Sequence, residues 1–155
     1  MPVGTYRLLT WEAQVSDEQG RLWTVKGGQP GGLDISVSTT ASTELNLLSK
    51  LHTEVKVQKQ GTGFYFKCSI GTESGGDLLS LMANDGVSLP APRLKIVNSK
   101  GHVLGFPDLL PSFGPHWNYI WQPAMHSSVP FRVIAEVRAN PLKIADGKAT
   151  EFSFR

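Results

Sequence analysis

From residue 6 to residue 15 apolar and polar positions alternate, with Leu9, Trp11, Ala13 and Val15 falling on one face and Arg7 interrupting the pattern near its start. Period two is the mark of a half-buried strand. Asp17-Glu18-Gln19-Gly20 then turns the chain, so residues 21–26 return as the second arm of a hairpin. The cluster Gly27-Gly28-Gln29-Pro30-Gly31-Gly32 predicts a break, after which Leu33, Ile35 and Val37 resume period-two spacing over Asp34, Ser36 and Ser38 as a third strand. Residues 43–51 fit two descriptions. Leu45, Leu48 and Leu51 stand at helical spacing, while the surrounding Ser and Thr disfavour a long helix, which leaves a short helix or a loop.

Residues 54–60 and 64–70 read as another hairpin, with Val55 and Val57 on one arm, Phe64, Phe66, Cys68 and Ile70 on the other, and Gly61-Thr62-Gly63 between them. After Gly75-Gly76, Asp77 stands where a helix N-cap would, Leu78-Leu79-Ser80-Leu81-Met82-Ala83 follows, and Asn84 and Gly86 close it. This predicts a short helical insert over residues 77–84. Pro90 and Pro92 end that segment, and residues 93–98 and 102–106 flank Ser99-Lys100-Gly101. Residues 117–121 and 131–139 carry the last clear alternations, with Phe152 and Phe154 closing the sheet. About nine short strands with regular turns predict an all-β fold, an antiparallel β-sandwich of immunoglobulin or fibronectin type, rather than alternating βα units. The alternative is a lipocalin-like β-barrel.

Composition narrows the classes. A chain of 155 residues matches one domain, residues 1–155, and the pieces either side of the Gly27-to-Gly32 cluster and the Pro107-to-Pro115 stretch are too small for separate cores. Those stretches are therefore expected to be long loops. A charged fraction of 18% argues against disorder and coiled coil. Fifteen Lys and Arg against 13 Asp and Glu, a net charge of +2, lack the footprint of a nucleic-acid binder. One cysteine, Cys68, excludes a disulfide framework and a four-cysteine zinc site. No apolar run approaches the ~20 residues of a membrane span, and the start lacks a charged-then-apolar leader pattern. The expectation is a soluble protein, extracellular or cytoplasmic.

Two stretches resemble known families. Val3-Gly4-Thr5-Tyr6-Arg7-Leu8-Leu9-Thr10-Trp11-Glu12, with Asp17 to Arg21 and Gly32-Leu33 after it, resembles the opening of lipocalin-like barrel domains. That resemblance implies a cavity that binds or cyclises a small hydrophobic ligand. Phe131-Arg132-Val133-Ile134-Ala135-Glu136-Val137-Arg138-Ala139-Asn140, with Gly147 and Phe152 beyond, is similar to the last two strands of fibronectin-type and immunoglobulin-like sandwiches. Neither resemblance carries functional residues onto this chain.

Candidate chemistry gathers around Phe113-Gly114-Pro115-His116-Trp117-Asn118-Tyr119-Ile120-Trp121-Gln122-Pro123-Ala124-Met125-His126. In an extended strand Trp117, Tyr119 and Trp121 share one face at ~6.6–6.8 Å spacing, as a platform for sugar rings would, with His116 and His126 flanking it. The same row more often describes the core side of a strand, where large rings dominate packing. His52, His102, His116 and His126 lack the short spacings of a zinc or copper site, so no metal and no cofactor is expected. No Gly-x-Ser-x-Gly elbow occurs, and a nucleophilic set would have to be assembled from scattered residues such as Ser112, His116 and Asp108. The loop from Gly71 to Asp77 lacks the Lys-Ser/Thr of a phosphate loop. Lys56, Lys59, Lys67, Arg93, Lys95 and Lys100 fall on neighbouring expected strands, either as one positive face or as guards of exposed strands.

The expected function is a non-catalytic binding or assembly module, carbohydrate-binding through Trp117, Tyr119, Trp121, His116 and His126. The alternatives are a lipocalin-like carrier of a small apolar ligand and a subunit of a homo-oligomer.

Overall fold

The structure is a computed structural model that describes residues 2–42, 50–72, 76–105, 107, 109–112, 114–122, 130–138 and 140–152. Among these residues the chain forms eleven strands and no helix. β1 (Gly4–Ser16) and β2 (Leu22–Val37) make a long antiparallel hairpin, and β2 pairs on its other side with β5 (Gly76–Ala83). A second ladder runs β3 (His52–Gln60), β4 (Gly63–Thr72), β9 (His116–Trp121) and β8 (Leu110–Pro111). The third runs β11 (Thr150–Phe152), β10 (Phe131–Glu136), β6 (Arg93–Val97) and β7 (Val103–Gly105). Gly71 and Thr72 of β4 pair with Asp77 and Gly76 of β5, which joins the first two ladders edge to edge.

All pairings between strands are antiparallel and the layers enclose one hydrophobic cluster, as in a β-sandwich. The lipocalin-like alternative is corrected: closure needs the terminal strands of the sheet to pair, whereas β1 pairs with β2 and the two-residue β8 pairs with β9.

The core follows from alternation. On β4, Phe64, Phe66, Cys68 and Ile70 are buried, and their partners Val55 on β3 and Trp117 on β9 lie on the same face. Phe131 and Phe152 from the third sheet meet Trp121, and Phe152 also meets Phe64 and Phe66, with ring centroids 4.8–6.0 Å apart and each pair edge to face. Each such contact contributes roughly 0.5–1.5 kcal/mol beyond area burial, so this nucleus ties the sheets together. Burial pushes the Cys68 thiol up to about 12, leaving it a small core hydrophobe.

The first hairpin turns at Asp17, where Gly20 takes a left-handed φ of 78°. The Asp17 carboxylate accepts from the N–H groups of Gln19 and Arg21 and from the indole N–H of Trp23, each at 2.9 Å. The Trp23 bond, seconded by those backbone bonds and Arg21, outweighs desolvation and holds the carboxyl below its ordinary range.

Three expectations need correction, and bulges explain the first two. Residues 77–84 belong to strand β5, not to a helix. In its pairing with β2, Lys26 faces Ser80 and Gly27 faces Leu78, so Leu79 is skipped. The skipped residue puts Leu78 and Leu81 on one buried face three positions apart, a spacing that imitates a helix. The cluster from Gly27 to Gly32 is not a loop between strands. It lies inside β2, whose residues 29–32 stand against Leu9 alone, since Gly28 faces Thr10 and Leu33 faces Leu8. The same irregularity reverses the face of β1: Leu8 and Trp11 are half-buried while Leu9 is 61% exposed. Between Pro107 and Pro115 the chain contains the short strand β8 rather than loop alone. The expected helix or loop at 43–51 falls mostly on residues 43–49, outside the described residues.

Candidate functional site

The aromatic row on β9 lies against the core. Trp117 is 6% exposed and faces Cys68, Tyr119 faces Phe66, and Trp121 faces Phe64, the last two half-buried against the core cluster. These rings therefore cover the sandwich interior instead of forming a flat outer platform, because the rows they join on β4 are the inward ones. His116 is on the opposite face, half-buried, and its Nε2 donates to the Leu78 carbonyl at 2.9 Å, tying β9 to β5. His126 lies outside the described residues, as does Asp108. Trp117 also borders a cavity of about 250 Å³ between β5 and β8, with Ser80, Met82, Ser88, Ser112 and Pro115.

The six basic residues divide between two sheets. Lys56 faces Lys67 directly on the outer surface of β3 and β4, where like charges repel. Arg93 and Lys95 lie on β6 of the other sheet and are neutralised by Glu136, at 2.9 and 3.9 Å. One continuous positive face is thus corrected to two separate groups, with Lys100 exposed in the turn before β7.

A larger cleft opens where the chain returns from β10 alongside the start of β3. The Thr53 N–H donates to the Ala145 carbonyl at 3.0 Å and the Ala145 N–H to the Leu51 carbonyl at 2.9 Å, a parallel bridge centred on His52. Thr53 is 1% exposed, and its hydroxyl donates to the Ala135 carbonyl at 2.9 Å while accepting from the Gly147 N–H at 3.0 Å. The Thr150 hydroxyl donates to the Val55 carbonyl at 2.7 Å. Upstream, the Asn140 side chain donates to the Ile144 carbonyl and accepts from its N–H, both at 2.7 Å, closing a turn whose Ile144 is buried. Both walls are therefore fixed before any ligand arrives.

The cleft measures about 720 Å³. Leu51 and Val55 supply apolar lining, and Lys50, His52, Glu54, Lys143, Asp146 and Lys148 supply charge and polarity. Lys50 and Lys143 both have φ of 54°, and they are the non-glycine residues with positive φ among the described residues. Side-chain residues rarely enter this region, and where they do the surroundings must enforce it. Lys143 Nζ pairs with Glu18 at 3.0 Å, and His52 Nδ1 lies 3.1 Å from the Lys50 carbonyl, which can only accept, so that nitrogen carries the proton. None of these residues was singled out from the sequence as a site, apart from His52 as one of four scattered histidines. The available signals were Thr53 inside an otherwise apolar inward row and a glycine at 147.

No family model, no curated protein and no solved structure matches the chain.

Proposed function

We propose that the chain is a non-catalytic β-sandwich binding module whose ligand, a small hydroxylated anion of the acidic-sugar kind, seats in the cleft between β3 and residues 142–150. The volume falls within the ~300–1,000 Å³ usual for small-ligand sites. Lys50, Lys143 and Lys148 offer donors to a carboxylate, while Glu54 and Asp146 offer acceptors to hydroxyls. No Phe, Tyr or Trp ring lines this cleft among the described residues, so recognition goes by hydrogen bonds and charge instead of the stacking expected from Trp117 and Trp121. The wall hydroxyls of Thr53 and Thr150 are already donating to main-chain carbonyls, which suits a rigid receptor better than a reacting centre. The observation that carries the reading is that both left-handed lysines border one cleft.

A thermal-shift screen tests it with uronic-acid oligosaccharides, neutral oligosaccharides and fatty acids. Ligand at about a hundredfold over its Kd adds ~2.7 kcal/mol, which raises Tm by roughly 5–10 °C in a domain of this size. The shift should appear with the acidic sugars and vanish in K50E/K148E. Absence of any shift with acidic sugars, or an equal shift in the variant, overturns the proposal.

A further inference from the structure

The edges of this fold are treated unequally. The outer side of β3 is taken at its start by the Ala145 main chain, β8 is two residues long and ends in Pro111, and β7 is three residues long. Such devices keep exposed strand edges from pairing with other chains. β1 is neither covered, short nor interrupted by proline. It runs thirteen residues, and among the described residues its outer edge has no strand partner.

The hairpin it belongs to is also only half supported. β5 backs β2 from Trp23 to Gly27, whereas the distal part, Gly4 to Leu8 against Leu33 to Val37, has no third strand among the described residues. That distal ribbon carries a half-buried apolar face of Tyr6, Leu8, Leu33, Ile35 and Val37, none of which belongs to the core cluster. A free two-stranded ribbon is marginally stable in water.

We propose that β1 pairs antiparallel with β1 of a second copy of this chain, about a twofold axis between Leu9 and Thr10, so that each unsupported ribbon lies on the partner's supported half. In this register Tyr6 faces Ala13, Leu8 faces Trp11, Arg7 faces Glu12 and Thr5 faces Gln14 of the other copy. Every one of these pairs joins two half-buried or two exposed positions. The match depends on the irregularity at Leu9, which puts Leu8 and Trp11 on one face despite their odd spacing. The charges agree as well. Arg7 binds Asp34 at 3.0 Å and Glu12 binds Lys26 at 3.3 Å within one chain. Across the pair the exposed row becomes Asp34, Arg7, then Glu12 and Lys26 of the partner, alternating in sign. Moving the register by one residue sets Arg7 against Trp11 or Ala13, and moving it by two leaves both charges unpaired across the axis. The surface is self-complementary, as a twofold interface must be. The two sheets become continuous, β5-β2-β1 running on into the partner's β1-β2-β5, with on the order of ten main-chain bonds across the joint.

Light scattering across the micromolar range reads the outcome. The wild type should run at twice the 16.9 kDa chain mass. R7E/D34R and E12R/K26E each keep a complementary pair within the chain but set like charges across the axis, so each alone should be a folded monomer by circular dichroism. Mixed one to one, the two variants face each other with opposite charges at both contacts, and the dimer should return. A monomeric wild type, a variant that stays dimeric alone, or a mixture that fails to associate overturns the proposal.

Discussion

Gly147 is the residue on which the cleft wall turns. A Cβ added there would overlap the Thr53 carbonyl oxygen and lie 2.9 Å from its carbonyl carbon. Both atoms are backbone of a paired strand, so Gly147→Ala must push residues 142–150 away from β3. The displacement strains four hydrogen bonds: Thr53 to Ala145, Ala145 to Leu51, Gly147 to Thr53 and Thr150 to Val55. At roughly 0.5–1.5 kcal/mol net for each, and with water replacing part of the loss, the cost is about 3 kcal/mol. With a urea m-value near 2 kcal/mol/M, the unfolding midpoint followed by tryptophan fluorescence should fall by about 1.5 M. Gly105→Ala is the matched control, because a Cβ there meets nothing within 4 Å. It should change stability by less than about 0.5 kcal/mol. A midpoint for G147A within about 0.3 M of wild type at unchanged m, or an equal loss in G105A, would refute the account of the wall.

Other consequences are as direct. Trp121→Ala opens the ring cluster between the sheets and should cost about 3 kcal/mol in urea unfolding; wild-type stability would show that the ring is not part of the core. The Asp17 carboxyl titrates lower folded than unfolded, so its stabilisation is complete above the ordinary carboxylate range and is lost as pH falls through the depressed folded value. D17N should flatten that acid limb of the urea midpoint, and an unchanged limb would discount the Trp23 bond. Cys68, buried with its thiol near 12, should resist a thiol reagent in native protein and react fully in denaturant; fast native labelling would contradict its burial.

Alternation alone was enough to place most strands, because a half-buried sheet writes period two into the chain. The hairpin at Asp17, the pair around Gly61 and the strands ending at Glu136 and Phe152 were legible for that reason. The misread face of β1 and the false helix share one cause. Leu9 and Leu79 are the residues skipped in their ladders, and each reverses the inward set beyond it, so a fixed period assigned Leu9 inward and read Leu78 and Leu81 as helical. A bulge needs knowledge of the partner strand, which local pattern lacks. The cleft was hidden for a related reason: its walls, residues 50–55 and 143–150, are some ninety positions apart and meet through a parallel bridge that no local signal announces. The aromatic row, by contrast, was visible as a row, and only its direction, set by Phe64 and Phe66 across the ladder, required the fold.

Ligand and self-association are assigned to different strands of the structure, which makes them separable. The cleft rests on β3 and residues 142–150, whereas β1 pairs in the sheet with β2, and the hairpin touches the cleft wall through the exposed ion pair of Glu18 with Lys143. Coupling requires an element with two arrangements that both sites bias, and among the described residues the β4–β5 ladder has two residue pairs. R7E/D34R should therefore lose the dimer while keeping the acidic-sugar thermal shift, and K50E/K148E should lose the shift while keeping the doubled mass. If the dimer-breaking variant also abolished ligand binding without unfolding, the cleft would have to be completed by the second copy, and its walls could not be the self-sufficient frame that Thr53 and Gly147 build.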